Sequence, residues 1–115
     1  MPHRGWTFRV QDILDAIAAI RAYTETMEFS RFVADRRTVD AVIRNLTVIG
    51  EAAARVPDEI CSITPDIPWE DMRAMRNFVV HEYFGVNDAI LWDTVRRDLP
   101  DLEEPLTRLL NSGPG

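Results

Sequence analysis

The chain has 115 residues and a formal net charge of −6, with 13 basic residues, all of them arginine, against 19 acidic residues. Hydrophobic residues make up 46% and charged residues 28%, which is typical of one folded domain and excludes a disordered chain. Because affinity for phosphate depends largely on basic contacts, a role in nucleic-acid binding needs a local arginine cluster, a dimer or a transient contact.

Apolar residues recur at steps of three and four in two long segments of the first half, which predicts two amphipathic helices. The first stripe comprises Val10, Ile13, Leu14, Ile17, Ile20, Tyr23 and Met27. The second comprises Val39, Val42, Leu46, Ile49, Ala53 and Val56. We predict Thr7 as the N-cap of the first helix, a short helical corner at 29–36, and Pro57 as the end of the second helix.

The second half predicts a connector and then a third helix. Residues 57–68 contain three of the seven prolines and read as a connector with one helical turn. Pro68 suits the first position of a helix that runs to about Phe84 and ends at Gly85. Asn87 or Asp88 can cap the helix that follows.

Two prolines interrupt the remaining apolar pattern. Leu91, Val95 and Leu99 form a fourth stripe, and Pro100 is expected to kink or break its helix. A last short helix carries Leu102, Leu106, Leu109 and Leu110, and it tolerates Pro105 only near its start or with a bend. Since no segment has the period of a strand, we predict an all-α antiparallel bundle of four to five helices.

Several kinds of segment and site are absent from the sequence. No run of about 18 apolar residues and no apolar signal region occurs, so we expect a cytoplasmic protein without a membrane segment. Cys61 is the single cysteine, which excludes an internal disulfide. His81 and Glu82 begin like a zinc-protease motif, but Gly85 occupies the second histidine position, and we expect no metal and no cofactor.

One polar cluster, in residues 73–84, could carry chemistry. On an α-helix, Arg76, Asn77, His81 and Tyr83 share an arc of about 160°. A guanidinium can bind phosphate, an imidazole can move a proton near neutral pH, and an amide and a phenol can orient a substrate. The same residue types are common on ordinary helix surfaces, so the spacing alone leaves a packing role open.

Further motifs surround this cluster in a fixed order. Asn45, Gly50 and Glu51 lie in two short segments at 44–46 and 49–52, and Pro68 and Trp69 lead to Met75–Asn77. The most specific segment is R-x4-H-x-Y, formed by Arg76, His81 and Tyr83 and followed by segments at 92–95 and 98–100. From about Phe8 to Leu110 the chain resembles the HepT-like branch of the HEPN superfamily.

The resemblance implies one HEPN-like domain over residues 1–115, with an ordered bundle at about 7–111, a flexible tail at 112–115, and a homodimer. It implies a metal-independent endoribonuclease toxin whose two motifs meet at the dimer interface. Arg76 and His81 would be the catalytic pair, supported by Asn77. Tyr83 would receive AMP from an MntA-like nucleotidyltransferase antitoxin, which silences the toxin.

Two other interpretations remain open from the sequence. The chain could be a catalytically silent helical module that binds a nucleotidyltransferase or a nucleotide. The acidic second half favours this, since residues 56–115 contain five arginines against 12 acidic residues. The chain could also be a dimeric scaffold in which Arg76 and His81 only pair with acids.

Three residues outside the R-x4-H-x-Y motif are expected to serve helix packing or the dimer interface. They are Asn45, Gly50 and Glu51. Trp69 and Trp92 are expected to anchor the core or an interface. The best basic patch comprises Arg36, Arg37 and Arg44, although a solvated face is the commoner role of such residues.

Overall fold

The computed structural model describes residues 5–77 and 88–112, and these form helices and the turns between them. Their α-helices are α1 (Gly5–Thr24), α2 (Phe29–Ala34), α3 (Arg36–Ala54), α4 (Asp58–Ser62), α5 (Trp69–Ala74), α6 (Asp88–Asp93) and α7 (Leu99–Ser112). A 3₁₀ turn at Met75–Asn77 follows α5, and a π turn at Thr94–Asp98 joins α6 to α7. The all-α helical bundle is confirmed.

The long helices α1 and α3 pack against each other at the centre of the bundle, and α7 packs on α1. Their apolar stripes form one core from which water is excluded: Val10, Ile13, Ile17 and Ile20 of α1; Val39, Val42, Leu46 and Ile49 of α3; Leu102, Leu106 and Leu109 of α7. Burial of this apolar surface is the main force that holds the helices together. Within the described residues, no helix combines the length and apolarity needed to cross a bilayer.

The two ends of α1 differ from the prediction. The helix already includes Gly5, so Thr7 lies inside it and is not its N-cap. Tyr23 is 46% exposed, and Thr24 is buried in its place. A helix turns by about 100° per residue, so position 24 lies nearer to the direction of Ile20 than position 23 does. The buried Thr24 hydroxyl donates to the Ile20 carbonyl at 2.8 Å, which satisfies it.

The helix α3 begins and ends as its sequence indicates. Asp35 is its N-cap, and its carboxylate accepts hydrogen bonds from the Thr38 amide at 3.2 Å and the Thr38 hydroxyl at 2.9 Å. The bond from the backbone amide is the main reason that the pKa of Asp35 is lowered. The helix ends at Ala54, shortly before Pro57, and the predicted corner and connector turn are α2 and α4.

Of the two effects predicted for Pro100, a kink or a break, the break does not occur. The chain stays helical from Asp88 to Ser112, and its winding widens to the π turn at Thr94–Asp98, which ends two residues before Pro100. A proline has no N–H to donate to the carbonyl four residues earlier, and a wider turn at this point accommodates the lost bond. Pro105 lies inside α7, in its second turn.

The carboxyl group of Asp98 is expected to cost stability at neutral pH. Burial raises its pKa above the usual 3.8, and the negative charges of Asp93, Asp101 and Asp71 raise it further. The folded state therefore binds this proton more tightly than the unfolded state, so stability falls as pH rises from about 3.8 through the raised pKa. Because Asp98 is exposed and water screens its neighbours' charges, the variant Asp98→Asn should raise the Tm at pH 7 by only about one or two degrees.

Thermal melts monitored by circular dichroism test this expectation, with Asp12→Asn on the exposed face of α1 as the matched control. The gain of Asp98→Asn should shrink toward zero below about pH 3, where the carboxyl is protonated in both states. An unchanged or lower Tm at pH 7 would show that the surrounding charges do not strain this position.

Candidate active site

Arg76 lies on the 3₁₀ turn that follows α5, and buried neighbours fix the path of its backbone. Met72 is fully buried, and Trp69 and Met75 are only 5% and 6% exposed. The indole N–H of Trp69 donates to the Thr64 hydroxyl at 2.9 Å, which ties the first residue of α5 to the preceding loop. Because these side chains point into the core, the side chains of Arg76 and Asn77 are left at the surface.

Gly50 brings α3 into direct contact with this turn. A Cβ atom at position 50 would lie 2.7 Å from the Arg76 amide nitrogen, 2.8 Å from the Arg76 Cβ and 3.0 Å from the Arg73 carbonyl oxygen. Two of these three atoms belong to the backbone and cannot rotate away. Glycine is therefore required for the observed approach, which confirms a packing role for Gly50 and shows that the packed partner is Arg76.

Glu51, the next residue of α3, faces the guanidinium group. Arg76 Nη1 lies 3.8 Å from Glu51 Oε2, and the two side chains are 44% and 52% exposed. An ion pair at this distance and exposure contributes little to stability. It limits the directions that the guanidinium samples, while the guanidinium N–H groups of Arg76 donate no hydrogen bond to the described residues. The arrangement presents an oriented and accessible cation.

The predicted third helix is helical throughout its described part, but it differs from the prediction in its first residue and in its winding. The α-helix spans Trp69–Ala74, Pro68 is its N-cap rather than its first residue, and the chain tightens into the 3₁₀ turn at Met75–Asn77. A 3₁₀ turn advances about 120° per residue, so the α-helical arc calculated from Arg76 does not hold for this turn. His81 and Tyr83 lie outside the described residues, as do Phe84, Gly85 and Asn87.

The role of Glu51 is the main feature of the site that the sequence did not predict. Its sequence position suggested packing or a dimer seam, and nothing in the spacing of residues 51 and 76 indicated an ion pair. Asn45 does serve its helix, since its amide donates to the Ala41 carbonyl at 2.9 Å. Burial raises the pKa of the Cys61 thiol above 9.0, so this residue lacks the low pKa of an activated nucleophile.

Comparison with known proteins gives a family that covers this site. The profile described as "Ribonuclease HepT-like" matches residues 13–109, which include Gly50, Glu51 and Arg76. The chain belongs to the HepT-like ribonuclease family. No solved structure matches the chain significantly.

Curated relatives of this HepT-like chain are similar over most of their length. A protein of Thermococcus cleftensis named "Probable ribonuclease HepT" is 40% identical over 100 residues, which cover 87% of this chain and 91% of the relative. A Methanocaldococcus jannaschii protein whose name describes a candidate RNase is 38% identical over 105 residues, 90% of this chain and 87% of the relative. A similarly named protein of Caldanaerobacter subterraneus is 37% identical over 84 residues, 73% and 75% of the two chains.

The contact between Gly50 and Arg76 predicts that Gly50→Ala destabilises the fold. Overpacking typically costs about 1–3 kcal/mol, and the better helix propensity of alanine returns at most about 1 kcal/mol. The net loss in the free energy of unfolding should be about 1–2 kcal/mol, measured by urea denaturation. Gly5→Ala is the matched control, because a Cβ at position 5 meets no atom within 4 Å. A Gly50→Ala variant as stable as the native chain would contradict the close approach.

Proposed function

We propose that this HepT-like ribonuclease is a metal-independent endoribonuclease that acts as the toxin of a toxin–antitoxin pair. The observation that carries the proposal is the exposed Arg76 guanidinium, placed by Gly50 and accompanied by Glu51, within a sequence that matches the family over residues 13–109. RNA supplies its own nucleophile, the 2′-hydroxyl. The protein must therefore remove one proton, donate another and stabilise the charge that develops on the phosphate.

Arg76 is the residue proposed to hold the scissile phosphate. A guanidinium can donate two parallel hydrogen bonds to phosphate oxygens, which favours the more highly charged transition state. Its partial exposure leaves room for the substrate, and the loose 3.8 Å pair with Glu51 can yield when a phosphate binds. Asn77, exposed on the same turn, is proposed to support the substrate beside it.

His81 is proposed to move the protons, since an imidazole titrates near neutral pH. One histidine removes the 2′-hydroxyl proton, and the histidine of a second copy donates a proton to the leaving 5′-oxygen across a homodimer interface. The products are then a 2′,3′-cyclic phosphate and a 5′-hydroxyl end. DNA lacks the 2′-hydroxyl and should remain uncut.

Tyr83 is proposed as the point of control. An MntA-like nucleotidyltransferase antitoxin would transfer AMP from ATP to the phenol oxygen: the phenol loses its proton, a new bond forms to the α-phosphorus, and pyrophosphate leaves. The resulting phosphodiester would add a negative charge within the proposed catalytic motif, which would pair with Arg76 and repel the RNA phosphate, and the AMP group would occupy the space that the RNA needs.

A catalytically silent module that binds a basic partner is the second candidate. An open cavity of about 410 Å³ behind Met75 is lined by Asp66, Asp71, Asp98 and Asp101, and its lining within the described residues includes no arginine. Arg108, which is not part of the lining, pairs with Asp66 at 3.5 Å. This surface suits a basic protein and disfavours RNA. Overexpression separates the candidates: a toxin arrests growth unless His81 is replaced, whereas a silent module leaves growth unchanged.

The nuclease proposal predicts loss of RNA cleavage in Arg76→Ala and His81→Ala. Purified protein is incubated with tRNA and mRNA in EDTA, and fragments and their end groups are identified by gel and mass spectrometry. Each substitution should lower the rate by at least about 100-fold, since removal of a transition-state donor or a general acid–base costs this much. Arg108→Ala, an exposed arginine on α7, is the matched control. Equal cleavage by native and substituted chains would refute the proposal.

The control proposal predicts that Tyr83 is modified by the partner enzyme. Co-incubation with an MntA-like nucleotidyltransferase, ATP and Mg²⁺ should add one or more AMP masses, detected by intact-mass spectrometry. The addition should disappear in Tyr83→Phe and persist in Tyr23→Phe, the other tyrosine of the chain. An unmodified mass in the presence of an active partner would rule out this form of control.

A further inference from the structure

A small groove with aromatic and arginine walls lies between the start of α2 and the helical segment α6. Its volume is about 310 Å³, and it is lined by Phe29, Ala89, Trp92, Asp93, Arg96 and Arg97. This volume is at the lower end of the range for ligand cavities and suits one planar ring rather than a large ligand. The proposed catalytic mechanism uses none of these residues.

Of the two aromatic side chains that line the groove, one packs on the core and the other is largely exposed. Trp92 is half-buried, and its ring packs on the fully buried Phe32 at a centroid distance of 4.8 Å. Phe29 lies 6.4 Å from Trp92 with its ring tilted by 54°, and it remains 42% exposed. The two rings are therefore tilted apart. Trp92 is fixed by its contact with the core, and Phe29 leaves part of its ring surface accessible to a ligand.

One arginine of the groove is rigid. The Arg96 guanidinium carbon lies 4.4 Å from the centre of the Trp92 ring, a cation–π contact. The Arg96 Nη2 atom also donates to two backbone carbonyls. One belongs to Thr24, the last residue of α1, at 2.7 Å, and the other belongs to Met27 in the turn that follows. This cation is fixed in place before any ligand arrives, which lowers the entropy cost of binding.

The second arginine is mobile enough to reach a ligand. The Arg97 side chain is 78% exposed, and its ion-pair partner among the described residues is the exposed Asp93, 3.1 Å away and one helical turn earlier. The lining thus carries two positive charges against one negative charge, in a chain whose net charge is −6. The cavity behind Met75, with its four aspartates, has the opposite character.

Aromatic rings combined with guanidinium groups are the usual means of holding single-stranded nucleic acid, because a ring stacks on any base and arginine binds the adjoining phosphate. We propose that the Phe29–Trp92–Arg97 groove binds an unpaired base of the RNA strand and its phosphate, several nucleotides from the bond that is cut. This inference rests on the proposed ribonuclease activity for its substrate class.

The position of the groove sets the length of RNA that could occupy both sites. Asp88 is the neighbour of Ala89, which lines the groove. Its Oδ2 atom lies 3.5 Å from Nη1 of Arg36, at the start of α3. Arg76 contacts α3 at Gly50, fourteen residues further on, which corresponds to about 21 Å along the helix axis. A strand that kept the stacked spacing of about 3.4 Å per nucleotide would cover this distance with about six nucleotides, and a more extended unpaired strand would need fewer.

Binding measurements test the groove without requiring cleavage. Fluorescence anisotropy gives the affinity of single-stranded RNAs of 4, 8 and 12 nucleotides in a His81→Ala background. Phe29→Ala and Arg97→Gln should each weaken 12-nucleotide binding by at least about fivefold. The rise in affinity between 4 and 8 nucleotides should also be lost. Matched controls are Phe8→Ala, which removes another exposed aromatic ring, and Arg108→Gln, whose arginine also pairs with an acid one turn earlier; both should stay within twofold.

The outcomes distinguish this inference from the proposed function. If RNA binding depends on Phe29 but the chain with its native His81 cuts no RNA, the groove assignment stands and the nuclease proposal fails. If the native chain cuts RNA while Phe29→Ala binds RNA as tightly as its His81→Ala parent, the groove assignment fails. Phe29→Leu, which keeps apolar volume without an aromatic face, serves if the alanine variant does not fold. A change of sedimentation in Phe29→Ala with unchanged RNA affinity would show a protein contact instead and overturn the assignment.

Discussion

The absence of a side chain at Gly50 lets the backbone of residues 73–76 lie directly against α3, and the position of Arg76 depends on this contact. Any larger residue would bring its Cβ within 2.8 Å of Arg76 atoms. The buried side chains of Met72 and Met75 hold the same turn from the core side. Because two elements far apart in the chain fix the turn, the exposed arginine has a defined place relative to Glu51 rather than a freely varying one.

A local cluster of arginines lets an acidic chain bind an anionic strand, and the described residues show such local segregation of charge. Four aspartates surround the cavity behind Met75, whereas Arg96 and Arg97 flank the aromatic groove at the start of α2. The two surfaces meet at the π turn, where Asp93 and Arg97 of the groove act electrostatically on Asp98 of the cavity. The same molecule can present one surface to a basic protein and another to an anionic strand.

The periodicity of apolar residues predicted the architecture well where one face of a helix is buried. The stripe from Val39 to Val56 is buried throughout, because a strict alternation of three- and four-residue steps is satisfied by one orientation of the helix. Prediction failed at the ends of elements. Tyr23 and Thr24 exchanged their expected places, and Pro100 was accommodated by a π turn, because local winding depends on neighbouring helices that the sequence pattern does not include.

For the site, the sequence alone determined which residues carry chemistry: the order of arginine, asparagine, histidine and tyrosine in residues 76–83, the family, and the all-α fold. Residue identity and spacing are local properties that the printed chain contains. Only the tertiary structure decided that Gly50 and Glu51 meet Arg76, and that Phe29, Trp92 and Arg97 share one groove. These contacts join segments 25 to 68 positions apart, and they exist only because packing of the apolar core brings separate helices together.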